Sequence, residues 1–178
     1  MDDIRGRVTK DGIRIYEDAD FAGMREAGRI AAEILDMAID YVKVGVSTAT
    51  IDDFIREEIV RRGVTSATIG YKGYQHASCI SVNHVVCHGI PGAKILADGD
   101  ILNIDVTVIV DGWFGDTSRM YTVGEASVKA KRLIDVTRAA MFEGIRAVRP
   151  GATLGDIGHA IQKLVEAERF SVVREYCG

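Results

Sequence analysis

Residues 101–123 read ILNIDVTVIVDGWFGDTSRMYTV, two runs of alternating character joined by Asp111-Gly112. In the first run Val106, Val108 and Val110 alternate with Asp105, Thr107 and Ile109, the period of two that belongs to a strand with one buried face. Asp-Gly between two such runs predicts a two-residue type I′ turn, because both central positions of that turn need a positive φ. The turn sets the register, with Asp116 opposite Thr107 and Asp105 opposite Ser118. Asp105 and Asp116 then become diagonal neighbours on one face, with Cβ atoms roughly 7 Å apart, within reach of one or two shared cations. Asn103, Thr107 and Ser118 share that face. The pattern is equally that of a solvated polar face on an antiparallel hairpin. A slip of one residue would put the two acids on opposite faces.

The whole chain has 178 residues, 47% hydrophobic and 27% charged, enough for one domain with a substantial core. A net charge of −4 and a pI near 5.6 give no electrostatic footprint for nucleic acid or an anionic membrane. The N-terminus MDDIRGRVTKDG lacks the apolar core of a signal peptide, and no run of about 18 apolar residues occurs, so the expectation is a cytoplasmic protein that neither spans nor binds a membrane. Cys79, Cys87 and Cys177 are odd in number and lack C-x-x-C spacing, which predicts reduced thiols rather than disulfides or structural zinc.

Residues 1–19 read as a polar lead-in with one short alternating patch, IRIY. From Asp20, a candidate N-cap, Phe21, Met24, Ala27, Ala31, Ile34, Ala38 and Tyr41 recur at helical spacing. A second helix is expected to begin near Thr50, where Thr50 and Asp53 have N-cap spacing, carrying Ile51, Phe54, Ile55 and Ile59 inward and stopping at Gly63. Neither helix shows obvious chemistry. The segment TSATIGYKGYQHASCISVNHVVCHGIPG differs, since it combines strand runs, two glycine-spaced tyrosines and three of the four histidines. A tight hairpin at Asn83-His84 would place Cys79 opposite His88. Three readings fit: a Cys-His nucleophilic pair, a buried Cys beside a structural His, or a pocket lined by Tyr71, Tyr74 and Cys79 with His88 offering a polar group to substrate. His76 and His84 read as surface residues. Ser127 and Thr153 cap two further helices; Val128, Leu133, Val136, Ala140, Met141, Ile145 and Val148 form one apolar stripe, and Leu154, Ile157, Ile161, Leu164 and Val165 the other, with His159 on the surface. SVVREYCG begins a strand.

The chain also resembles itself at an offset of 106 residues, with YVKVGVSTATIDDFI from Tyr41 lying over AVRPGATLGDIGHAI from Ala147. Each copy is helix, glycine turn, capped helix, then strand. A first repeat of 20–123 and a second starting at 126 predict that the second would continue about 50 residues past Gly178. On this reading 126–178 is a partial repeat whose site-forming strands are missing from the sequence.

YKGYQHASCISVNHVVCHGIP, GDILNIDVTVIVDGWFGDTSRMYTVG and FSVVREYCG closely resemble type I methionine aminopeptidases, from about Phe21 to Gly178. The resemblance implies an α/β pita-bread fold with an internal pseudo-twofold repeat, an antiparallel sheet covered by helices, its second half incomplete, as a single domain over 20–178. It implies two divalent metal ions, with Asp105 chelating one and Asp116 bridging both, of identity Co, Mn, Fe, Zn or Mg. His88 would contact substrate near the scissile amide as a catalytic and binding residue, and Tyr71, Tyr74 and Cys79 would line the pocket for the methionine side chain. The implied reaction is hydrolytic removal of the N-terminal methionine from peptides or nascent proteins, a setting that brings ribosome contact with it. Gln75 stands where the family has proline, which removes no ligand. The family follows its Tyr-Cys-Gly with a histidine ligand, and two glutamate ligands lie further on. With two of five ligands, Asp105 and Asp116 do not close a five- or six-coordinate site, so the 178-residue chain alone is expected to be inactive and to retain metal weakly. Two other readings share the fold, a non-catalytic binding protein and a proline-directed aminopeptidase.

Overall fold

The computed structural model describes residues 5–174. The chain forms two compact units, Met1–Glu125 and Ala126–Gly178. The first is built on the hairpin β5 (Ile101–Val110) and β6 (Trp113–Thr122). Ten residue pairs run from Ile101↔Thr122 to Val110↔Trp113, and among them Asp105 faces Ser118 and Thr107 faces Asp116, the register expected from the turn. Asp111 and Gly112 both hold positive φ, 48° and 79°. The Arg5 guanidinium donates to the turn carbonyls of Asp111 and Gly112, 3.2 and 3.3 Å, and lies over the Trp113 ring at 4.0 Å. Arg5 precedes a small ribbon of β1 (Arg7–Val8) and β2 (Arg14–Ile15). The turn therefore has both its backbone chemistry and an outside clamp.

On the other edge β5 pairs antiparallel with β4 (Ser78–Val82) and with β3 (Thr65–Ser66). Leu102, Ile104, Val106 and Val108 of β5 are fully buried, and they meet α1 (Asp18–Ala38) and α2 (Thr48–Arg61) through Ile34, Leu35, Ile51 and Ile55. Burial of such side chains contributes roughly 1.5–3 kcal/mol each. The Tyr121 hydroxyl donates to the Leu35 carbonyl at 2.6 Å inside this layer. Gly115 lets α1 approach β6: a Cβ there would collide with the Ala27 carbonyl. Both helices thus cover one face of the sheet.

Several expectations shift in detail. Helix α1 starts three residues early, capped by Glu17, with Asp20 closing a capping box from the third helical position; Phe21 and Met24 stay 37% and 49% exposed because they lie beyond the edge of the buried stripe. Ser47, not Thr50, caps α2, accepting from the Thr50 amide at 3.1 Å. The hairpin at Asn83-His84 does not form as a ladder. Asn83 does take positive φ, 54°, but β4 forms its ladder with β5, and the returning chain meets β4 at Gly89, whose carbonyl accepts from the Ile80 amide at 2.7 Å and whose amide donates to Ser81 Oγ. Cys79 consequently faces Asp105 rather than His88.

In the second unit Ser127 and Thr153 cap α3 (Val128–Ala147) and α4 (Leu154–Ala167) as expected. The two helices and the residues after α4 line an open groove of about 490 Å³, with Val136, Ala140, Gly144, Ile161, Val165 and Phe170 along it. Among the described residues this unit has no strand, so much of both expected stripes stays outside: Val128, Ile145, Val148 and Leu154 are 85%, 56%, 64% and 87% exposed. Residues 171–174 are not a strand, and Tyr176, Cys177 and Gly178 lie outside the described residues. His84 and His159 are exposed as expected. No described helix is long and apolar enough to cross a membrane.

Gly115→Ala is expected to destabilise the first unit by about 1–3 kcal/mol, since backbone must move to admit the methyl. Trp113, the single tryptophan, lies on the same strand, so its fluorescence in a urea titration should report a lower midpoint.

Candidate functional site

The face of the sheet turned away from α1 and α2 carries the chemistry. Cys79, Asp105 and Ser118 stand side by side across β4, β5 and β6, and Thr107 and Asp116 form the adjoining row. The Thr107 hydroxyl donates to Asp116 Oδ1 at 3.0 Å, and Asn103 Nδ2 donates to Ser118 Oγ at 3.2 Å. Burial pushes the Asp105 carboxyl up to about 6, and the like charge of Asp116 and a hydrogen bond shared with it push in the same direction. The charge of His88 opposes the rise. Two acids are therefore held against each other on a half-buried face.

That arrangement fits a divalent cation. Anionic oxygens are hard ligands suited to Mg, Mn, Co, Fe or Zn, and a cation between the carboxylates replaces their repulsion by attraction. The donor set is nonetheless small. Among the described residues no group of three or more His, Cys, Asp or Glu side chains is assembled to hold a metal, leaving Asp105 and Asp116 as the available pair.

His88 sits on the segment following β4, exposed, with φ of 54°. The next residue anchors it, since the Gly89 amide donates to Ser81 Oγ at 3.1 Å and the Gly89 carbonyl accepts from Ile80. Tyr74 is partly buried and donates its hydroxyl to the Ser78 carbonyl at 2.8 Å; burial, then its hydrogen bond with Cys79, pushes its pKa up. Burial also pushes the Cys79 thiol up, and the Asp105 carboxylate adds to this, while the bond to Tyr74 pulls the other way. A nucleophilic thiol needs the opposite shift and a histidine partner, so the Cys-His pair gains no support. Tyr71 stands apart: its side chain is 66% exposed on the 3-10 turn Tyr71–Gly73, with the Lys72 ammonium 5.5 Å from its ring centroid.

Sequence reading missed Asp52. It is 1% exposed on α2 and accepts from the Ser78 amide, 2.8 Å, and the Ser78 hydroxyl, 2.7 Å, while His76 Nδ1 lies 3.1 Å from its second oxygen. His76 is therefore a tethered residue, not a free surface one. The signal was present, because Thr48, Asp52, Ile55 and Ile59 recur at helical spacing and put Asp52 on the inward face.

The sequence profile of metallopeptidase family M24 matches residues 22–178. The chain belongs to metallopeptidase family M24. Within M24 it is 54% identical over 166 residues to a methionine aminopeptidase of Rickettsia prowazekii, a match covering 93% of this chain and 64% of that protein. It is likewise 54% identical over 168 residues to the methionine aminopeptidase of Escherichia coli K12, with the same coverage. The crystal structure of the R. prowazekii methionine aminopeptidase superposes with a TM-score of 0.90, over 92% of this chain and 66% of that one. That of the Thermotoga maritima methionine aminopeptidase superposes at 0.88 with 35% identity, covering 93% and 67%. A Bacillus anthracis Xaa-Pro dipeptidase, 19% identical with a TM-score of 0.76, shares the fold alone. The mixed α/β pita-bread class is thus the observed one, and the chain spans about 64% of the length of the relatives it matches.

In the metal-free M24 chain, Asp105 holds its proton more tightly folded than unfolded, its pKa rising from 3.8 to about 6. Folding takes up a proton in that window, so stability is expected to fall as pH rises through it. Asp105→Asn should flatten this part of the slope in urea midpoints measured across the window. Asp116→Asn should move the Asp105 titration, followed by carboxyl ¹³C NMR, back toward the ordinary value.

Proposed function

We propose that this chain carries the carboxylate floor and substrate wall of a methionine aminopeptidase that removes the N-terminal methionine from peptides and nascent proteins. The observation that carries this reading is the Asp105–Asp116 pair with Cys79 facing Asp105 from the next strand, and Tyr74 hydrogen-bonded to Cys79. Asp105 and Asp116 would be the residues of this chain that hold the divalent cations, two in number by this reading. When bound, such cations supply Lewis-acid polarisation of a peptide carbonyl and lower the pKa of water.

The chain's own residues orient the substrate. Thr107 donates to one oxygen of Asp116 and so fixes the orientation of that carboxylate beside Asp105. Cys79 and Tyr74 present a half-buried, weakly polar surface beside the acids, suited to an unbranched thioether side chain. His88 offers an exposed imidazole at the rim, near enough to Asp105 to influence its charge, where it can hydrogen-bond a substrate amide. Tyr71, exposed on its turn, would complete the wall only by closing over a bound side chain. The domain would run from residue 20 as one repeat to 123 and another from 126.

The test is hydrolysis of a Met-Ala-Ser peptide with Co²⁺ or Mn²⁺ added. The 178-residue chain alone should bind the metal weakly and show no substantial turnover, because two carboxylates do not close the site. Joined to the portion of the R. prowazekii enzyme that the match leaves uncovered, it should cleave Met-Ala-Ser and leave an Ala-Pro peptide intact. Asp116→Asn in that fusion should lower kcat/KM by roughly 100-fold or more, since losing a ligand costs at least as much as losing its supporting hydrogen bonds. Cleavage of Ala-Pro in preference to Met-Ala would overturn the substrate assignment.

A further inference from the structure

Asp52 is a buried carboxylate that the proposed chemistry does not use. Burying a charge costs several kcal/mol unless partners repay it, and an apolar residue at this position of α2 would avoid the cost. Apart from Arg56 on α2 itself, its partners are His76 on an irregular segment and Ser78, the β4 residue that ends it. Between the turn Tyr71–Gly73 and the start of β4, residues 74–77 belong to no strand or helix, so the sheet does not dictate their course. Asp52 holds that segment at two points. Its Oδ1 accepts from both the amide and the hydroxyl of Ser78, and its Oδ2 faces His76 Nδ1. One turn along α2, Arg56 lies 3.7 Å from the same Oδ2 and donates to the Gln75 carbonyl at 2.7 Å.

Tyr74 hangs on this anchor. Its hydroxyl donates to the carbonyl of Ser78, the residue Asp52 grips, and its ring meets His76 edge-on at 5.5 Å. Cys79 follows Ser78 directly and faces Asp105. We propose that Asp52 is a positioning residue for the substrate wall: through Ser78 and His76 it fixes where Tyr74 and Cys79 stand, and so sets which side chain the wall accepts. The selectivity half of this statement rests on the methionine reading above.

Two measurements on the full chain test it. The first is the rate of iodoacetamide labelling at Cys79, with Cys87 as internal reference, read by peptide mass spectrometry. Asp52→Ala should raise Cys79 labelling about tenfold with Cys87 unchanged, because a cluster of buried hydrogen bonds to a charge is lost. Asp52→Asn keeps the acceptor for Ser78 and should restore labelling to within about twofold of wild type. His76→Ala, at a partly exposed position where folding is not at risk, should raise it a few-fold. Unchanged Cys79 labelling in both alanine variants, or equal rises at Cys79 and Cys87, would overturn the positioning role. The second is NMR titration with L-methioninamide and L-valinamide. Wild type should prefer methioninamide and Asp52→Ala should lose the preference; an undiminished preference refutes the selectivity role. Absence of any preference in wild type would refute the methionine reading, and the labelling result would then decide the positioning role alone.

Discussion

The register of one β-hairpin is the constraint on which this molecule depends. Asp111 and Gly112 both take positive φ, a demand that the Asp-Gly pair meets, and ten residue pairs follow from it. One slipped residue would put Asp105 and Asp116 on opposite faces, so that either one acid enters the core or Val106 and Val108 turn outward. The fold therefore ties its hydrophobic layer and its chemical face to the same turn. Arg5, bonded to both turn carbonyls and stacked on Trp113, reinforces that turn from a distant part of the chain.

Holding Asp105 against Asp116 works against the stability of the bare protein. Burial and like charge both raise the Asp105 pKa, so the folded state loses stability as pH rises through that range and Asp105 gives up its proton. Sites where titratable groups are pushed this far are more often functional than structural, and a divalent cation is the ligand that turns the same geometry to advantage. On the neighbouring strand Cys79 shows the complementary design, a thiol kept neutral by burial and by the adjacent acid, fit for contact rather than attack. Cys79 and Asp105 thus differ in charge though they stand on neighbouring strands.

Errors of sequence reading fell where partners are distant. The helix caps moved by three residues each, from Asp20 to Glu17 and from Thr50 to Ser47, because both members of each pair carry a side chain able to cap. The Asn83-His84 hairpin looked sound locally, and Asn83 does turn as expected, but β4 found a better edge in β5. His76 looked like a surface residue because nothing nearby in sequence could hold it; its partner lies on α2, 24 positions earlier. The stripes of α3 and α4 were read as core, yet an apolar stripe is buried only where something lies against it, and Val128 and Leu154 remain exposed.

Sequence by itself determined the elements whose cause is local: the type I′ turn, the alternation of β5, the capped helices, and hence the shared face of Asp105 and Asp116. These follow from φ preferences and side-chain period, which act within a few residues. Only the tertiary structure decided that Cys79 faces Asp105, that Asp52 is buried against Ser78 and His76, and that Asp105 is lifted toward 6. Those facts depend on strand order, on burial and on charges brought together from separate elements, none of which is a property of any short stretch of chain.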